Sequence, residues 1–303
     1  MTTLDWTLFA ILSAVTFGIV SVLDKLLLSV NIRVIQAYYA WLGIALLANS
    51  IVVYIIFGMQ EQWIFSTTMI AYGAGLSWGM ALVLSFYAIK YEEISRATAI
   101  YQTFPIFVAI FAVIFLGETI GIGRGIAIGT IVVGAYLISI KGITIAQALR
   151  PTKYLPILVL ASLMVGIGHF GGKVALEDYS VPTAYIIRSL GMATSLLVFF
   201  RPKVTKEMIR NFKDAQTRYL VFLVFFILSP AAVAFALIAT NIGPVSLVSS
   251  VVATRPMFVF LFATILSKTR LHFMGEPLKR DTFLLKGFSI TLVVGGLVIL
   301  HVM

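Results

Sequence analysis

Ten stretches of the 303-residue chain stay apolar for about twenty residues at a time. A hydrocarbon core of roughly 30 Å is crossed by about 20 helical residues, each rising about 1.5 Å. The runs fall at 5–28, 34–57, 67–89, 94–116, 122–140, 153–175, 182–200, 218–240, 245–267 and 283–302. Hydrocarbon offers no partner to a backbone N–H or C=O, and the runs lack the alternation of a barrel strand. The expected fold class is therefore an all-α membrane protein with ten transmembrane helices. Composition agrees: 60% of residues are hydrophobic and only 11% charged, too few charges to cover a water-facing surface. An ordinary soluble enzyme, a nucleic-acid binder and a disordered scaffold are excluded on that ground. With no cysteine in the chain, disulfides, zinc–thiolate sites and thiol catalysis are excluded too. Met1–Asp5 lacks a basic region ahead of the first apolar run, so no signal peptide is expected.

The runs divide into two sets of five. Tyr101–Glu118 (YQTFPIFVAIFAVIFLGE) aligns with Val252–Thr269 (VATRPMFVFLFATILSKT), which places Pro105 on Pro256, each near the middle of a span. The Gly129–Ser139 region matches Gly287–Leu300, and Lys25 and Lys173 each stand near the end of the first helix of a half. An odd number of crossings per unit makes the two units point in opposite directions, the inverted-repeat plan of secondary transporters. The expected units are 1–140 and 153–303. The prolines are read as hinges.

On these residues the chain resembles the drug/metabolite transporter superfamily, in its ten-helix EamA-like branch. The marker is Pro105 followed by Ile114–Glu118 (IFLGE), with the small-residue fifth helix and the Gly295–Gly296 pair of the tenth in support. The likeness spans essentially the whole chain. The second half departs from it: Ser267-Lys268-Thr269 stands where the first has Leu116-Gly117-Glu118, and a longer loop precedes the last helix. The resemblance implies alternating-access transport of small organic solutes through a cavity between the halves. It does not fix the substrate.

Charge sets an orientation. The connectors after odd-numbered helices hold nearly all the Lys and Arg, and the seventh-to-eighth connector alone has Arg201, Lys203, Lys206, Arg210, Lys213 and Arg218. Opposite them stands only Arg124. The positive-inside rule puts the basic face in the cytoplasm and both termini outside, whereas the resemblance implies termini inside. A prokaryotic plasma membrane is the expected location.

Arg255 is the most informative residue, near the middle of the ninth span and just before Pro256. A charge at that depth costs at least about 2.5 kcal/mol, so it faces a cavity or a partner. Its functional reading is an anion contact; its structural one is a bridge to backbone carbonyls. Lys173 and Arg188 are expected to form a basic vestibule at one mouth, with snorkelling or pairing with Glu177 and Asp178 as the alternative. His169 is a proton-coupling candidate or a packing residue. Tyr38, Trp78, Tyr101 and Gln102, with Ser250 and Thr254 in the mirrored position, fill out the expected substrate lining. All twelve acidic residues are read as lying in loops or near span ends, which argues against a carboxylate-coupled exporter of lipophilic cations.

Gly75–Gly79 matches GxSxG and Gly166–Gly171 matches GxGxxG, but neither has the strand context its chemistry needs, so both are read as helix packing. Gly121, Gly125 and Gly129 make two GxxxG steps, expected to serve a close contact inside the chain or in a homodimer. No catalytic constellation, metal site or cofactor is expected. The favoured function is a secondary transporter of an anionic or zwitterionic metabolite, such as an amino acid or organic acid. The alternatives are a drug or neutral-solute exporter and a non-transporting receptor or scramblase.

Overall fold

A computed structural model describes residues 4–302 except 33, 60, 90, 92–93, 140–152 and 268–279. The connector at 141–152 and Lys268 therefore lie outside the described residues. The helices are α1 (Leu4–Leu26), α2 (Ile35–Phe57), α3 (Phe65–Ile89), α4 (Ile94–Tyr101), α5 (Phe104–Leu116) and α6 (Ile122–Ser139) in the first half. The second half has α7 (Leu155–Asp178), α8 (Val181–Leu197), α9 (Pro202–Lys213), α10 (Ala215–Val221), α11 (Ser229–Ile242), α12 (Val245–Val252), α13 (Arg255–Ser267) and α14 (Arg280–Val302). Among the described residues, eight stretches are long and apolar enough to cross a membrane. The seventh expected span is short, Val181–Leu197, and the apolar part of the tenth is Leu285–Leu300.

Two expected boundaries differ in ways that matter. The first span does not stop near residue 28: a π-helical turn, Leu27–Asn31, carries it on beyond α1. A second π-helical stretch, Phe222–Leu228, joins α10 to α11 within one span. The basic connector 201–217 is largely helical, because α9 turns away from α8 by 108°. Asp214 then caps α10 by accepting from the Thr217 N–H at 2.7 Å.

The fourth and ninth spans break at equivalent places. Thr103 N–H donates to the Ile100 carbonyl and Ile106 N–H to Thr103; in the other half Thr254 N–H donates to Val251 and Met257 N–H to Thr254. Pro105 and Pro256 each take the second position of the helix that follows, where a missing N–H costs nothing. The two repeats are thus matched down to their turn hydrogen bonds. Helix contacts exchange in the same way: α6 pairs with α14, α2 with α8, and the α5–α7 contact is mirrored by α13–α1.

The tightest packing is α3 on α8. A Cβ built at Gly75 falls 1.9 Å from the Arg188 carbonyl oxygen, and one at Gly191 falls 2.0 Å from that of Tyr72. Of the GxSxG glycines, Gly75 thus meets backbone, and a Cβ at Gly79 falls 1.8 Å from the Ser195 hydroxyl, so both serve helix packing, as expected. The fifth-helix glycines do not: Cβ atoms at Gly121 and Gly129 meet nothing, and at Gly125 only the Ile120 side chain at 3.9 Å. The internal contact of that helix is made by Gly134, against Ser289 and Val293 of α14. Of the two alternatives for Gly121, Gly125 and Gly129, the contact inside the chain is not made: Gly121, just before α6, and Gly125 and Gly129 within it are exposed.

Candidate functional site

Between the halves lies a cavity of about 150 Å³. Of the sequence-predicted residues it is lined by Tyr38, Trp78, Tyr101, Gln102, His169, Arg188 and Arg255. They arrive from α2, α3, the α4–α5 break, α7, α8 and the start of α13. The two helix breaks put Gln102 and Arg255 at the same level as the cavity.

Arg188 is the central cation. It is only 6% exposed, and its guanidinium lies over the Trp78 ring at 4.8 Å. Gly172 of α7 makes the room, since a Cβ there falls 3.2 Å from the Arg188 Cζ. The Nε of Arg188 is buried and has no hydrogen-bond partner within the chain. His169 stands beside it, its ring stacked on Phe104 at 5.1 Å and 5° and tilted against Trp78 at 4.8 Å. The His169 Nε2 is likewise buried and unpartnered. Arg255 is partly buried, with its guanidinium 5.7 Å from the Phe17 ring centroid. A buried donor left unpaired costs about 1–3 kcal/mol, and more when charged, so these atoms are poised to bond to what enters the cavity.

The sequence reading missed Asp24. It lines the cavity, accepts a hydrogen bond from the Tyr38 hydroxyl through one oxygen, and interacts electrostatically with Arg255. Its other oxygen, Oδ1, is buried without a partner. Asp24 looked terminal because the hydropathy run fades near residue 28, whereas the π-helical turn carries the helix on to Asn31. Asp24 is near a span end, as expected, but it still reaches the cavity, so the inference that no carboxylate serves the site is corrected here. Tyr185, also missed, lines the cavity with its hydroxyl buried beside Ser189.

Three predicted lining residues lie elsewhere. Ser250 is fully buried and donates to the Ser246 carbonyl at 2.8 Å. Thr254 donates to the Val251 carbonyl at 2.7 Å, the counterpart of Thr103 donating to Ile100. Both hydroxyls brace the helix break. Lys173 does not join Arg188 in a vestibule. Its Nζ donates to the Thr240 and Gly243 carbonyls at 2.8 and 3.2 Å, capping the negative end of α11.

One end of the bundle is tied across the halves. Gly117 ends α5 in the left-handed conformation, φ 65°, and turns Glu118 toward the other half. The Glu118 carboxylate accepts from the Val245 N–H at 2.7 Å and from the Ser246 hydroxyl, capping α12. At the same end, Glu61 accepts from the Ser180 N–H and the Thr183 hydroxyl at the start of α8. Desolvation pushes the Glu61 carboxyl up, but these hydrogen bonds outweigh it and hold the group at about 2. Tyr179 adds a bond from the Ile64 N–H at 2.9 Å, and Thr67 bonds Asp178.

A helical bundle of apolar spans around an amphoteric central cavity defines a multi-pass membrane protein with a solute-sized pocket. The chain belongs to the EamA-like transporter family, whose model matches it twice, over residues 4–140 and 152–275. A solved crystal structure, described only as that of a protein, is similar to 97% of this chain and 95% of its own with a TM-score of 0.73. Its identity of 12% makes the likeness one of fold alone. A comparison with curated proteins gives no match.

Proposed function

We propose that this EamA-like transporter moves a small zwitterionic metabolite, such as an amino acid, by alternating access of its two halves. The observation that carries the reading is the buried, unpartnered Arg188 Nε in the same cavity as the half-paired Asp24 carboxylate. Arg188 binds a substrate carboxylate by charge-assisted hydrogen bonds, with Arg255 as a second cation. Asp24 receives the substrate ammonium, and His169 Nε2 accepts or donates one further bond. A simple anion uses only the cations, and a lipophilic cation only Asp24; a zwitterion uses both. The inter-half bonds of Glu118 and Glu61 support a state closed at their end, while lining by Asp24, Tyr38 and Phe86 supports access from the opposite, basic end. By its charges that end is cytoplasmic, in a prokaryotic plasma membrane, with both termini outside.

The test is a thermal-shift screen of the purified protein against amino acids, organic acids, lipophilic cations and neutral sugars, followed by flux in proteoliposomes. The expected result is stabilisation by an amino acid that is lost in Arg188→Ala and weakened in Asp24→Asn. Hits confined to cations or neutral solutes, or an unchanged response in Arg188→Ala, overturn the reading. Binding without flux would instead make the protein a receptor.

A further inference from the structure

On another side of α2 from the central cavity, α9 and α2 flank a second cavity of about 410 Å³. Its wall is apolar, made by Trp41, Ile44, Phe200, Ile209 and Phe212, and its rim carries Lys213 and Arg218. We infer that this groove binds an anionic phospholipid, one acyl chain along the apolar wall and the phosphodiester on the cationic rim.

Three features support that occupant. First, α9 lies 108° from α8, so it runs along the bundle end rather than through it. Second, its residues sort by helical spacing. Val204, Met208 and Asn211 face the protein and are buried. Ile209 and Phe212 are 57% and 45% exposed on one flank, and beside them Lys203, Lys206, Arg210 and Lys213 form one exposed stripe. A helix with an apolar flank next to a cationic stripe suits the boundary between acyl chains and headgroups. Third, the charge is nearly uncompensated. Glu207 is the one carboxylate on α9 and already pairs with Arg210, while Asp214 accepts from Thr217. Lys206 and Lys213 remain for phosphate, joined by Arg218, which also interacts electrostatically with Asp214. The apolar wall is fixed in place: Trp41 stacks on Phe212 at 5.1 Å and 24°, and the Arg218 guanidinium lies 5.9 Å from the Phe212 ring centroid. The Trp41 indole N–H is buried without a partner in the chain, a donor available to a lipid ester oxygen.

Near an anionic leaflet each such cation contributes about a fivefold gain in partition, so three give on the order of a hundredfold. The experiment is native mass spectrometry of the purified protein mixed with equal amounts of dioleoylphosphatidylglycerol and dioleoylphosphatidylcholine. The expected result is preferential retention of phosphatidylglycerol. In a Lys206→Gln, Lys213→Gln, Arg218→Gln variant, retention should fall to the phosphatidylcholine level. A salt titration of the unaltered protein gives the same reading without any variant, and should erase the preference. Equal retention of the two lipids, or undiminished phosphatidylglycerol in a folded variant, overturns the inference. Displacement of the lipid by inorganic phosphate alone would overturn the acyl-chain part. A dimer in phosphatidylcholine nanodiscs that Phe212→Lys dissociates would put a second copy in the groove instead.

Discussion

Arg188 illustrates how one residue is made into a site. Its backbone is clamped by Gly75, its guanidinium is given space by Gly172 and a face by Trp78, and its Nε is left for a ligand. Hydrogen bonds to charged groups contribute about 1.5–3 kcal/mol, so Arg188→Ala should weaken binding of the screened ligand roughly 10- to 100-fold by titration calorimetry. Arg188→Lys should not restore it, because an ammonium neither stacks on Trp78 nor offers a planar fork. Sequence alone pointed to Arg255 first, since a charge beside a mid-span proline is conspicuous. Arg188 was visible only as a cation two turns into a helix. Asp24 was obscured altogether, because hydropathy does not report a π-helical extension. Ser250 and Thr254 were misjudged for a related reason: a hydroxyl near a helix break serves the break itself as readily as a cavity.

At the scale of elements, the glycines divide by what stands opposite them. Gly75→Ala and Gly191→Ala force backbone apart in the α3–α8 contact, and overpacking of this kind costs typically about 1–3 kcal/mol or more. Both should lower the melting temperature or abolish folded yield. Gly129→Ala meets open space within a helix and should be neutral or stabilising by about 0.5–1 kcal/mol in the same assay. The sequence showed that all these positions are small but not which face each one serves. The Glu61 tie behaves as a depressed carboxylate. Its contribution is complete above the ordinary value of 4.5 and is lost as pH falls toward about 2. The Glu61→Gln variant should therefore lose the part of the acid destabilisation that falls between those limits, measured by melting temperature against pH.

For the whole molecule, the all-helical multi-pass class could be read from hydropathy, the internal repeat from two aligned prolines and the family from Pro105 with Ile114–Glu118. The count of ten spans stands against eight stretches of spanning length among the described residues. Which end of the bundle is tied shut depends on individual hydrogen bonds and was not legible. The absence of native cysteine makes that end testable. A cysteine at buried Ser249 should react with a water-soluble thiol reagent slowly, and several-fold faster when Glu118→Ala releases the α12 cap. Equal rates would show that the cap does not hold the end closed. Orientation is checked separately: a C-terminal reporter active only in the cytoplasm should stay silent if the basic face is inside.

The Gly117-Glu118 cap has a consequence beyond the end it ties. The repeat places Lys268-Thr269 at the equivalent position, and neither residue carries a carboxylate to cap a facing helix. Under the proposed alternating access, two states built from such unequal halves differ in free energy, so the resting protein is unevenly distributed between them. Apparent affinity from either side is the intrinsic one divided by the fraction that faces that side. Uptake and efflux through one and the same pocket should therefore half-saturate at different concentrations, the higher one belonging to the side the Glu118 cap keeps closed.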